Sequence, residues 1–131
     1  MNVAWQFGLS FLLLASSVSL PSESGQTSPS LHKIVFTFDY DFRHTPACSP
    51  KVTQGCVQQF NFYNISQGIP ERVKMGWIPV PTGATGFVKG ISGTTESFLF
   101  LSGRYRLAVS AQMPDGLESD LSRCTTIVKV S

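Results

Sequence analysis

The sequence predicts an all-β protein, a two-sheet antiparallel β-sandwich of about seven strands. Three observations carry that prediction. Apolar residues recur at a spacing of two through several short runs, Gly and Pro punctuate those runs, and no segment sustains a helical period. The chain has 131 residues, room for one domain, and its ten Phe are enough to build a core.

The first residues, "MNVAWQFGLSFLLLASSVSL", carry no charged side chain, and the apolar run from Phe7 to Ala15 ends in Ala15, Ser16 and Ser17. An apolar run of that length followed by small residues reads as a secretory leader over 1–20, too short to span a bilayer. It lacks the usual basic flank, and the alternative is an N-terminal helix or strand buried in the fold. Residues 21–30, "PSESGQTSPS", are polar and Pro-rich: an extended approach to the domain, or a short first strand. The sandwich itself is placed at 31–131.

In "KIVFTFDYDF" the set Ile34, Phe36, Phe38, Tyr40 and Phe42 alternates with polar or smaller residues, the pattern of a strand with one buried face. A cysteine-bordered loop, "CSPKVTQGC", follows; Pro50 and Gly55 suit a turn. "CVQQFNFYNI" puts Phe60 and Phe62 on one face. "RVKMGWIPVP" gives Val73, Met75 and Trp77 a common period, with Pro79 and Pro81 marking an edge or an exit. "GFVKGIS" and "ESFLFL" read as two strands divided by a turn at Gly93, Thr94 and Thr95. Then "GRYRLAVSAQ" sets Tyr105, Leu107, Val109 and Ala111 inward, and Pro114, Asp115 and Gly116 form a turn in which Gly accepts positive φ. In the last strand Cys124, Thr126, Val128 and Val130 share a face.

These residues resemble a fibronectin type III domain over about 31–131. "FTFDYDF" is similar to that family's second strand, with Phe38 where an inward Trp is usual, and "FNFY" to its third. Leu99, six residues before Tyr105, has the spacing of the family's tyrosine-corner element, and "YRLAVSAQMPDGLESDLS" is similar to its sixth strand and following turn. The resemblance implies that the Tyr105 ring is buried while its hydroxyl reaches a backbone group. The Pro common after the Leu is absent, since Leu101 holds that place, and the cysteine-bordered insertion is additional.

Ten Lys and Arg against eight Asp and Glu leave a scattered net charge of +2, with no basic stripe for nucleic acid and no polybasic membrane patch. Three cysteines permit three single pairings. The short loop favours Cys48 with Cys56 in an oxidising compartment, which leaves Cys124 as a buried thiol or an intermolecular one. Asp39, Asp41 and His44 offer an oxygen-rich metal set, but the ligands are too few, and a solvated strand face is the reading preferred. His32 and His44 lie roughly 40 Å apart along a straight strand at about 3.3 Å per residue. No nucleophile–base–orienter set is visible, so neither an enzyme nor a cofactor is expected.

The expectation is a secreted or periplasmic, non-catalytic module for protein interaction or structural support, without membrane insertion once the leader is removed. The alternative is a carbohydrate-binding module using Tyr63 and Trp77, although core burial is the preferred place for Trp77. Asn64 opens an "NIS" N-glycosylation sequon. Loops at Thr45–Gly55, Pro79–Gly86 and Met113–Arg123 are the expected recognition surfaces.

Overall fold

Period-two alternation gives each strand one apolar face, and two sheets bury those faces against each other. The computed structural model describes residues 8–19, 30–96, 98–121 and 124–130. Its strands are β1 (Gly8–Ser19), β2 (Ser30–Asp41), β3 (Gln59–Asn64), β4 (Val73–Pro79), β5 (Phe87–Thr94), β6 (Phe98–Phe100), β7 (Gly103–Gln112) and β8 (Thr125–Val130). One sheet runs β1-β2-β5, with β6 continuing beside β2 beyond β5; the other runs β4-β3-β7-β8. Counting β5 and β6 as two parts of one interrupted edge, this is a seven-position antiparallel sandwich.

The core lies between the sheets. Ile34, Phe36, Phe38, Tyr40 and Phe42 from the first meet Phe60, Phe62, Met75, Leu107, Val109, Ala111 and Val128 from the second. Phe36 stacks on Phe62 with ring centroids 4.3 Å apart and planes 4° from parallel, and Phe38 meets Phe60 edge-on at 4.9 Å. Burying such rings contributes about 1.5–3 kcal/mol each.

Three sequence expectations change. The Gly93–Thr94–Thr95 turn is absent: β5 runs through Gly93 and Thr94, and the break comes after Thr94. Gly93 is opposite Phe36, and its missing side chain leaves the place that the Phe62 ring occupies. Within β5 a bulge between Val88 and Ile91 puts Gly90 at φ 71°, a left-handed conformation that Gly adopts without strain. The Asp39 carboxylate accepts the Gly90 N–H at 2.9 Å and pins that bulge.

The second change is at β4. Its pairing with β3 shifts between Phe62 and Tyr63, so Met75 is the extra residue and the alternation reverses beyond it. Met75 is buried, while Trp77 pairs with Asn61 and is 54% exposed. Third, Asp41 is covered rather than solvated. It is bound by Arg43 at 2.6 and 2.8 Å, and the Arg43 hydrogen bonds hold its carboxyl down at about 2.

Within the stretch read as a leader, Gly8–Ser19 is β1 in this chain. Gly8–Ser19 pairs antiparallel with β2, Leu13 opposite Phe38 and Ser19 opposite His32, and it also lies along β8. Residues 21–29 of the polar segment lie outside the described residues.

Candidate functional site

Because β4 reverses its alternation, the outer face of the four-stranded sheet carries an exposed Trp beside a row of polar side chains. Asn61 sits opposite Trp77 on one side and Ser110 on the other. The Gln59 side-chain amide donates to Asn61 Oδ1 at 2.8 Å; the Asn61 side-chain amide donates to Gln112 at 2.8 Å and to Glu118 at 3.1 Å. Glu118 also accepts from the Tyr63 hydroxyl at 2.7 Å and from Ser110 at 2.5 Å. The amide row is therefore held in place before any ligand arrives.

Glu118 reaches that face because the segment after the Met113–Gly116 turn runs back along β7. Gly116 N–H donates to Met113, Met113 N–H to Leu117, and Ser119 N–H to Ala111. Gly116 takes φ 93°, the positive value that the turn requires. Burial pushes the Glu118 carboxyl up, but hydrogen bonds from Ser110, Tyr63 and Asn61 outweigh it, and the net shift is downward. Burial, reinforced by Glu118, pushes the Tyr63 hydroxyl up to about 12. The Arg72 guanidinium lies 5.6 Å from the Tyr63 ring centroid, and Tyr63 packs with Ile65, Ala108 and Leu121 in a second small core.

At the end of the sandwich where β2 stops and β3 starts, the loops meet. Cys48 and Cys56 are bridged. The bridged loop shares one cleft of about 290 Å³ with Gly83–Gly86 and another of about 470 Å³ with Met113–Asp115. A third cleft, of about 330 Å³, lies between Ile69 and Arg72 on one side and Gly116–Leu121 on the other. Comparisons with protein-family models, curated proteins and solved structures return no match for this chain. Its surface chemistry carries the functional argument.

Of the two aromatics named as ligand contacts, the structure presents Trp77 and withdraws Tyr63, which is 5% exposed. The preference for a buried Trp77 fails because the Met75 bulge has no signature in local composition. Leu99 is 68% exposed, and it is Phe100 that packs on Tyr105, with ring centroids 4.7 Å apart. The Tyr105 hydroxyl donates to the Leu101 carbonyl at 2.8 Å. Asn64 accepts from the Ser66 N–H and hydroxyl at 3.0 and 2.6 Å, and Ser66 Oγ accepts the Arg106 N–H at 2.9 Å. This sequon is thus tied into the join between β3 and β7.

Cys124 is fully buried, and burial with the Asp39 charge raises its thiol to about 12, which makes it a poor nucleophile. His32 is buried against Phe100, while His44 stays exposed, 3.9 Å from Asp41. Among the described residues no three of His, Cys, Asp and Glu are placed to hold a metal ion. Sequence reasoning missed Asn61, Gln112 and Glu118. The alternation Gln59, Asn61, Tyr63 opposite Phe60 and Phe62 was the available signal for the first; Glu118 has no local one.

Proposed function

We propose that this chain is an exported, non-catalytic β-sandwich module, fibronectin type III-like, that binds a protein partner through the outer face of its four-stranded sheet. The observation that carries the reading is Trp77, a large aromatic with 54% of its surface exposed on a sheet whose opposite face is packed. An exposed Trp beside amide groups has the composition of an interface anchor, and it pairs across the sheet with Asn61 of the amide row. Glu118 and Tyr63, the groups on this face with acid–base capacity, direct their hydrogen bonds at each other, which favours binding over turnover.

Export is supported by the apolar leader composition and by the Cys48–Cys56 bridge, which persists in oxidising compartments. Among the described residues no helix is long and apolar enough to cross a membrane. The family likeness is supported by the Tyr105 hydroxyl, which returns to the backbone four residues upstream as a tyrosine corner does.

A second reading, polysaccharide binding, is favoured by the pre-positioned row Gln59–Asn61–Gln112, since amides beside a flat ring match sugar hydroxyls and faces. Trp77→Ala separates the two readings. With the denaturation midpoint unchanged, the variant is expected to lose a co-purifying protein partner while retention on insoluble polysaccharide stays at background. Polysaccharide retention that Trp77→Ala abolishes would replace the first reading by the second. Binding of either kind that ignores Trp77→Ala would exclude this face.

A further inference from the structure

The strand that covers the edge of β2 is the segment that export would remove. Ile34 directs its backbone toward β5, donating to Thr95 Oγ1 and accepting from Thr95 N–H, both at 3.0 Å. By alternation the backbone groups of Lys33, Val35, Thr37 and Asp39 face the opposite edge, where β1 pairs. Cleavage near Leu20 takes β1 away and opens that row, together with the apolar rim Ile34, Phe36 and Phe38.

The chain cannot re-cover this edge with its own new N-terminus. Residues 21–29 contain no aliphatic or aromatic side chain except Pro, nothing to set beside Phe36 and Phe38. An edge this long, with an apolar inner side, pairs with another strand unless it is blocked.

We propose that the processed chain dimerises by pairing β2 antiparallel with β2 of a second copy, centred on Phe36. This inference rests on the export reading above. An antiparallel strand pair about a two-fold axis is self-complementary, as a closed dimer requires. Centred on Phe36, the register sets Lys33 opposite Asp39 of the second copy, and Asp39 opposite its Lys33. Val35 falls opposite Thr37, and Phe36 lies beside its own symmetry mate. The four edge-facing residues of each copy then exchange about eight backbone hydrogen bonds.

The neighbouring registers are worse. Centring on Val35 leaves Lys33 opposite Thr37. Centring on Thr37 puts Lys33 opposite Asp41, whose carboxylate Arg43 already holds at 2.6 Å. Only the Phe36 register pairs both charges, and both lie on the outer face of the sheet, Lys33 exposed and Asp39 partly so. The leader segment thereby acts in the precursor as a strand-shaped cover for the dimer edge.

The test combines intact mass with sedimentation equilibrium on the exported protein. The expected result is a chain that begins between Ser16 and Ser22 and forms a dimer. Lys33→Glu and Asp39→Lys, each alone, are expected to weaken self-association about tenfold or more, because each places like charges opposite one another twice. Mixing the two variants is expected to restore association as a heterodimer, since both cross-strand pairs are then opposite in sign. Matching circular dichroism of wild type, Lys33→Glu and Asp39→Lys shows that the fold is intact, a check that Asp39→Lys needs because its carboxylate also accepts the Gly90 N–H; midpoints do not serve, since association itself raises them. A processed chain that stays monomeric overturns the dimer and leaves export standing, and so does a dimer indifferent to both substitutions. A chain that retains Gly8–Ser19 overturns export and the dimer together.

Discussion

Replacing Gly93 with Ala tests how tightly the two sheets are fitted. At an open strand position this change stabilises by about 0.4–1 kcal/mol, because Ala restricts the unfolded chain. Position 93 is not open. A Cβ built there lies 2.6 and 2.7 Å from two carbons of the Phe62 ring and 2.8 Å from Ile78 Cγ2, where carbon atoms prefer about 3.5–4 Å. The ring would have to retreat by about 1 Å, and Phe36 already lies flat against it at 4.3 Å, with Phe38 edge-on at 6.4 Å.

Overpacking of this kind costs about 1–3 kcal/mol. With the Phe62 ring walled in, Gly93→Ala is expected at the upper end, a net loss of about 2 kcal/mol after the gain in the unfolded chain. At a urea slope of about 1–3 kcal/mol per molar, the midpoint falls by roughly 1 M. Phe62→Leu removes the ring and leaves the Ile78 contact, so Gly93→Ala in that background is expected to cost less, with a coupling of at least about 1 kcal/mol in the double-mutant cycle. A midpoint that rises or stays put in the single variant would refute the reasoning, because the sign itself distinguishes an open position from a filled one.

Tyr105→Phe is expected to lower stability by about 0.5–1 kcal/mol, the worth of one hydroxyl bond near the surface; equal urea midpoints would discount the bond to Leu101. Removing the bridge by replacing Cys48 and Cys56 with Ala is expected to cost about 2.5 kcal/mol from loop-closure entropy across the eight-position span, read from the same denaturation curves. Asp41 and Glu118 both titrate below their ordinary values of 3.8 and 4.5 in the folded state, so their stabilisation is full above those values. It is lost as pH falls through the lowered folded-state values, about 2 for Asp41, because the unfolded chain then binds more protons. The urea midpoint should therefore drop between about pH 6 and pH 2.5, by less in Glu118→Gln, and an identical drop in that variant would discount its carboxylate. Tyr63, raised to about 12, acts in the opposite direction: its contribution is present below pH 10 and is lost as pH rises through about 12.

The inward residues of β2, β3 and β7 were legible in the sequence because a strand's alternation is a local property. Ile34, Phe36, Phe38, Phe60, Phe62, Leu107 and Val109 follow the two-residue period, and all are buried. The turn at Pro114, Asp115 and Gly116 was legible for the same reason, since its chemistry lies within four residues. The short loop between Cys48 and Cys56 likewise favoured their pairing over the two longer ones.

Tertiary structure decided what depends on distant residues or on a single extra one. The Met75 bulge turns Trp77 from the core to the surface, and one residue of slip reverses every side chain beyond it. Glu118 joins Asn61 and Tyr63 across separations of 57 and 55 positions, a meeting that no local pattern encodes. Gly93 looked like punctuation and is instead the gap that admits Phe62, because whether a Gly marks a turn or a close approach depends on what lies above it. The apolar stretch at 8–19 satisfies a leader and a strand equally by composition; its place on β2 comes from an open edge whose backbone groups need partners.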